Sequence, residues 1–112
     1  MKVSIRQALA RLPAAATATY PSGAPFVSMM AGGTMSVEVF APKGVDLQQP
    51  HKQDELYFVH SGTAQIIINE QRFDAAAGDS FFVAAGVIHR FENFSRDFVT
   101  WVVFYGPQGG EQ

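Results

Sequence analysis

The chain has no cysteine, one tryptophan and few charges of either sign, with eight Lys and Arg against ten Asp and Glu. The missing thiol excludes a disulfide framework and every thiolate metal site. A net charge of −2 offers no basic stripe for nucleic acid. No apolar run reaches the roughly 20 residues that span a bilayer as a helix. Lys2 and Arg6 place charges where a secretory signal would need its apolar core. These absences lead us to expect a cytoplasmic protein with neither a nucleic-acid nor a membrane partner. What is present is globular in character. Hydrophobic residues make up 47% and charged residues 16% of 112 residues, enough for one core in a single domain spanning 1–112.

Ser4 followed by Gln7 matches a capping box, and Pro13 stops the chain from continuing as helix, so Ser4–Leu12 is predicted helical. Ile5, Ala8, Leu9 and Leu12 would form its apolar face. Residues 14–25, small and interrupted by prolines, read as a loop. From Phe26 the texture turns to β. Runs at 26–30 and 35–40 flank a Gly-Gly turn, and further short runs at 56–59, 64–68, 72–73, 80–84, 88–93 and 98–104 are separated by turn residues. This pattern predicts an antiparallel sandwich or barrel. The tail 106–112 is expected to be mobile. The runs 66–68 and 101–104 are apolar on both faces, which a half-exposed strand should not be, and this points to a homodimer.

Two stretches carry the candidate chemistry. Gln49-Pro50-His51-Lys52-Gln53-Asp54-Glu55 places two good metal ligands four residues apart ahead of an apolar run that ends at Gly62. Gly78 to Asn93 contains His89, leaving His60 as the one other histidine. His60 lies on the opposite strand alternation from Glu55, Tyr57 and Val59 and should point away from them.

In these stretches the chain resembles the small single-domain cupins. The family's first motif is matched by His51, Glu55 and Gly62, and its second by Gly78, Gly86, His89 and Asn93, every spacing kept. The resemblance covers about residues 35–104. It departs at Gln49, where a first histidine is expected, at Ala84, where the family has proline, and at Gly44, one residue too close. The resemblance implies an all-β antiparallel jelly-roll barrel with a short N-terminal helix. It also implies a divalent transition metal (Fe, Zn, Mn or Ni) on His51, Glu55 and His89, with Gln49 as a possible fourth ligand.

The residue types suit such an ion, since imidazole and carboxylate together bind these metals and leave positions open for other ligands. In an extended chain His51 and Glu55 would stand about 13 Å apart, so sharing an ion requires a bend at Lys52-Gln53-Asp54. Gln49 and His51, two residues apart, would share a face if extended. Tyr57, Phe91 and Trp101 are the pocket candidates, with Val59 and Phe82 behind them. The function expected from the resemblance is a metal-dependent enzyme, dioxygenase-like, acting on a small oxygen-bearing molecule. The alternative is a small-ligand binder or sensor without catalysis.

Overall fold

The computed structural model describes residues 1–111. It contains one short helix, α1 (Ile5–Ala10), and eight strands: β1 (Phe26–Gly32), β2 (Met35–Phe40), β3 (Asp54–Ser61), β4 (Thr63–Ile68), β5 (Gln71–Ala76), β6 (Ser80–Val83), β7 (His89–Glu92) and β8 (Val99–Tyr105). They form a five-stranded sheet in the order β1-β2-β8-β3-β6 and a three-stranded sheet in the order β5-β4-β7. Each pairing is antiparallel. The architecture is a jelly-roll barrel, as the family resemblance implies, and antiparallel as the turn spacing predicts.

The helix begins as its capping box dictates. Ser4 Oγ accepts from the Gln7 amide at 3.2 Å while Gln7 Oε1 accepts from the Ser4 amide at 2.9 Å. It ends two residues early, at Ala10, and Leu9 is 42% exposed instead of lining the apolar face. Ala8 is the buried contact, with Ile5 and Leu12 packed beside Val27, Val39, Ala41 and Val99 on the outer side of the large sheet.

β3 and β4, joined at Gly62, do not pair with each other. The chain instead turns a corner there and passes from one sheet to the other. Gly62 has φ +79°, and a Cβ on it would lie 2.6 Å from the Cα of Phe98. Only glycine fits that corner. Between the sheets lie Phe40, Tyr57, Val59, Ala64, Ile66, Phe91, Phe98, Val102 and Phe104. Burying one such aromatic contributes about 2–3 kcal/mol.

The tail is docked, contrary to expectation, over the part described; Gln112 lies outside the described residues. Glycines at φ +91° and +90° reverse the chain at 109–110. The Gly109 amide then donates to the Lys52 carbonyl at 2.7 Å, and the Glu111 amide to Asp54 Oδ2 at 3.1 Å.

Candidate metal centre

The inner face of the large sheet is laid out in rows by strand register. Ser36, Phe104 and Glu55 form one row across β2, β8 and β3, and Glu38, Val102 and Tyr57 form the next. Glu55 therefore opens β3 at the edge of the core, 1% exposed. The required bend is present, because residues 51–53 are irregular and the strand begins only at Asp54. His51 returns over the strand end with its Nε2 4.0 Å from Glu55 Oε1. From the small sheet, β7 brings His89 Nε2 to 2.7 Å from the same oxygen. One ligand atom from each of the three residues lies within 4.8 Å of the others. Donors sharing an ion at bonds of about 2.0–2.2 Å sit roughly 3–4.4 Å apart, so sub-ångström adjustment suffices.

The protonation logic also favours a cation. His89 Nδ1 sits 2.8 Å from the Val87 carbonyl, which requires that nitrogen to carry the proton and leaves the Nε2 lone pair facing the cluster. Gln48 Oε1 stands 3.0 Å from that Nε2 and 3.4 Å from His51 Nε2. The orientation of this amide is set by its other end, since Gln48 Nε2 donates to Asp46 Oδ2. Lone pairs of two imidazoles, a carboxylate and an amide oxygen thus converge. Among the described residues neither Glu55 oxygen receives a directed hydrogen bond, although both are buried. Acceptors crowded in this way need a proton or a cation among them. The chemistry fits a divalent transition metal.

Burial lowers His89, but its contact with Glu55 outweighs this, so the net shift is upward. Burial lowers His51 below its ordinary value, opposed by Glu55 and assisted by the neighbouring His89. Burial, reinforced by Glu55 and Asp46, pushes the Tyr57 hydroxyl well above its usual range. Tyr57 therefore stays protonated and donates to Gln48 Oε1 at 2.9 Å.

The cavity at this end measures about 320 Å³ and is lined by Tyr57, Phe104, Phe40, Glu38 and Gln48 together with Thr17, Thr19 and Tyr20 from the loop after α1. Of the pocket residues expected from sequence, Tyr57 is in place. Phe91 lies behind it, fully buried with its ring edge-on to Tyr57 at 4.9 Å, and belongs to the core. Trp101 is on the opposite side of the sheet beside Phe58 and Val103, because the β8 register turns Thr100, Val102 and Phe104 inward. Phe82 points outward at 51% exposure, and Val59 lies deep in the core. His60 is exposed, as its alternation predicts.

Gln49 is exposed at the cavity rim and makes no hydrogen bond to the triad, while its neighbour Gln48 occupies the place beside the histidines. The two-residue alternation does not apply there because residues 45–53 form no strand. Asp46 organises this loop instead. Its Oδ1 accepts from the Gln48 amide at 3.0 Å and its Oδ2 from the Phe91 amide at 2.8 Å. Asp46-Leu47-Gln48 is an Asx turn, and an aspartate two residues before a glutamine was the signal to find it. Glu38, also missed, was legible as the one charge in an otherwise uncharged strand.

The comparisons with known proteins agree with this fold. The family model described as "Cupin domain" matches residues 36–105. A relative 42% identical over 76 residues, covering 66% of this chain and 72% of its own length, is the uncharacterized protein SCO3923 of Streptomyces coelicolor. Among solved structures, KdgF from Halomonas sp. superposes with a TM-score of 0.63 at 15% identity, covering 70% of this chain and 74% of that one. The DMSP lyase DddQ from Ruegeria pomeroyi gives a TM-score of 0.63 at 21% identity, over 72% of this chain and 46% of the other. A putative mannose-6-phosphate isomerase from Ralstonia eutropha gives 0.59 at 23% identity, over 73% and 83%. The structural likenesses establish the barrel, and the family match extends over more than half of the sequence. The chain belongs to the cupin domain family.

Proposed function

We propose that the protein is a metal-dependent enzyme that binds one divalent transition ion on His51, Glu55 and His89 and acts on a small oxygen-bearing organic molecule in the adjoining cavity. The observation that carries this reading is the buried Glu55 carboxylate, without a hydrogen-bond donor, facing two imidazole nitrogens. Gln48 Oε1 supplies a neutral fourth oxygen in the position expected of Gln49. A bound divalent ion supplies Lewis acidity toward a substrate carbonyl or carboxylate and, if iron, a route to dioxygen. Two neutral histidines and one carboxylate leave such a site cationic by about one unit, which attracts an anionic oxygen. The chain's own residues bind and orient. Tyr57 holds Gln48, the aromatic walls exclude water, and Thr17 and Thr19 offer hydroxyls at the mouth. Iron would suit the same pocket to dioxygen chemistry, whereas zinc, which has no redox chemistry, would direct it to isomerisation or elimination.

Elemental analysis of the untagged protein beside His89→Ala tests the reading. Near-stoichiometric metal in the wild type and its loss in the variant are expected. Protein that stays metal-free after anaerobic reconstitution with each candidate ion overturns it in favour of a non-catalytic small-ligand binder. We also assign the protein to the cytoplasm and to a homodimer. The exposed Phe58 on the outer sheet face, beside Trp101 and Val103, supports the dimer. Light scattering on the purified chain checks the dimer.

A further inference from the structure

Glu38 stands in the cavity of the triad, and the metal reading makes no use of it. On β2 the side chains alternate. Val39 packs outward under α1 and Val37 also lies on the outer face, while Phe40 joins the inner core. Glu38 shares the side of Phe40. An inward position on a sandwich strand is apolar by default, because a carboxylate there loses hydration. Nothing compensates the Glu38 carboxylate, since among the described residues no hydrogen bond and no ion pair reaches its oxygens.

Burial, followed by the charge of Glu55, holds its carboxyl above the ordinary value. The lining contains neither lysine nor arginine. The titratable groups facing the space are Glu55 and Tyr57 from β3, His51 from the loop before it and Tyr20 from the loop after α1. Asp46 and His89 stand behind them. Register places Glu38 two strands away from Tyr57, with Val102 between, so β2 and β3 are about 10 Å apart at this row. A carboxylate that is unpaired, half-buried and open to a ligand pocket suits proton transfer, whereas a structural carboxylate would have a partner.

We propose that Glu38 is the general base of this pocket, taking a proton from the carbon next to a carbonyl group whose oxygen lies at the His51–Glu55–His89 end. The inference rests on the metal reading above and narrows its substrate class to small 2-hydroxy or 2-oxo carbonyl compounds. In the step, the C–H bond breaks and its proton passes to a Glu38 oxygen. The electron pair forms the carbon–carbon double bond of an enolate, with the negative charge on the carbonyl oxygen. Return of a proton to carbon completes an exchange or an isomerisation, and no oxidant or reductant is consumed. The cavity volume of about 320 Å³ suits a small organic molecule.

The test uses the full chain loaded with zinc, in D2O, with dihydroxyacetone and 2-oxobutanoate as probes and loss of the C–H signal followed by proton NMR. Wild type is compared with Glu38→Gln and Glu38→Asp, zinc content being measured in each. A second readout needs no metal: the Glu38 carboxyl carbon is titrated by ¹³C NMR in metal-free protein, Glu38→Gln assigning the resonance. Expected are exchange of at least one probe, a loss of about 10²-fold or more in Glu38→Gln with zinc retained, partial recovery in Glu38→Asp, and a carboxyl that titrates above ordinary glutamates. Equal exchange in wild type and Glu38→Gln, no exchange of either probe by zinc-loaded wild type, or an ordinary titration overturns the base. Failure of the wild type to hold zinc overturns the metal reading instead, and the titration then decides Glu38 alone.

Discussion

The two ends of the barrel are built on the same strands and do opposite things. β3 shows the contrast within eight residues. At its start Glu55 faces two histidines; at its middle Tyr57 has its hydroxyl on Gln48 and its ring on Phe91; beyond it Val59 joins a packing of Ile66, Ala64, Phe91 and Phe98 with no ionisable side chain. Rings run from the site into the core, Tyr57 to Phe91 and Phe91 to Phe98, each pair 4.9 Å apart. The closed end contributes the stability, and the open end uses it to hold lone pairs together that would otherwise separate. The two ends should therefore fail separately.

The largest effect belongs to the closed end. Phe98 is 1% exposed, packs on Phe91 and Phe94, and abuts the Gly62 corner. Phe98→Ala is expected to destabilise the fold by about 3–5 kcal/mol, measured by urea unfolding. At low temperature, where the variant is still folded, it should bind zinc within a few-fold of wild type. A parallel collapse of zinc affinity in folded protein would show that the ends are not separable.

At the open end the second expected effect falls on affinity. Asp46 accepts from the Gln48 amide, the Gln48 side chain and the Phe91 amide. An asparagine there has one acceptor oxygen and must turn its NH2 toward one of these donors. Gln48 is then no longer held with Oε1 toward the histidines. Asp46→Asn should weaken zinc binding about 10–100-fold, as loss of a supporting shell does, with a smaller change in stability than Phe98→Ala. Zinc titration by calorimetry on both variants decides whether the contrast holds.

Much of the barrel and the triad could be read in the sequence because both depend on local spacing. Turn residues at short intervals announced the strands, and every β element lies within a few residues of an expected run. His51, Glu55 and His89 could be named because the motif spacing was kept. What escaped depends on register between distant strands. Trp101 and Val102 look equally apolar in sequence, and only the pairing Val102↔Tyr57 shows which faces the site. Gln48 and Gln49 are chemically identical, and the choice between them is made by Asp46, whose bond to the Phe91 amide spans 45 residues. Leu9 was placed on the apolar face by helical spacing, but the helix is only six residues long and seats Ala8 against the sheet instead.

The smallest expected effect concerns the tail, whose docking lies against the loop that carries His51. The Asp54 carboxylate accepts from the Ala85 amide at 2.9 Å and from the Glu111 amide at 3.1 Å, so one side chain ties the turn before β7 to the chain end. These two amides hold its carboxyl below the ordinary value. A lowered carboxyl contributes stability above the unfolded aspartate value, near 4, and this is lost as pH falls through the lower folded value. Acidification should thus loosen the tail only below the range in which ordinary aspartates titrate. Asp54→Asn keeps one acceptor oxygen and loses the other, so faster hydrogen exchange is expected at Glu111 or Ala85, with the melting temperature nearly unchanged. The Lys52 carbonyl, which accepts from Gly109, adjoins His51. A modest rise in the rate of zinc release from Asp54→Asn, without loss of stoichiometry, is therefore expected in a chelator competition assay. An unchanged release rate would show that the tail only covers the loop and does not steady it.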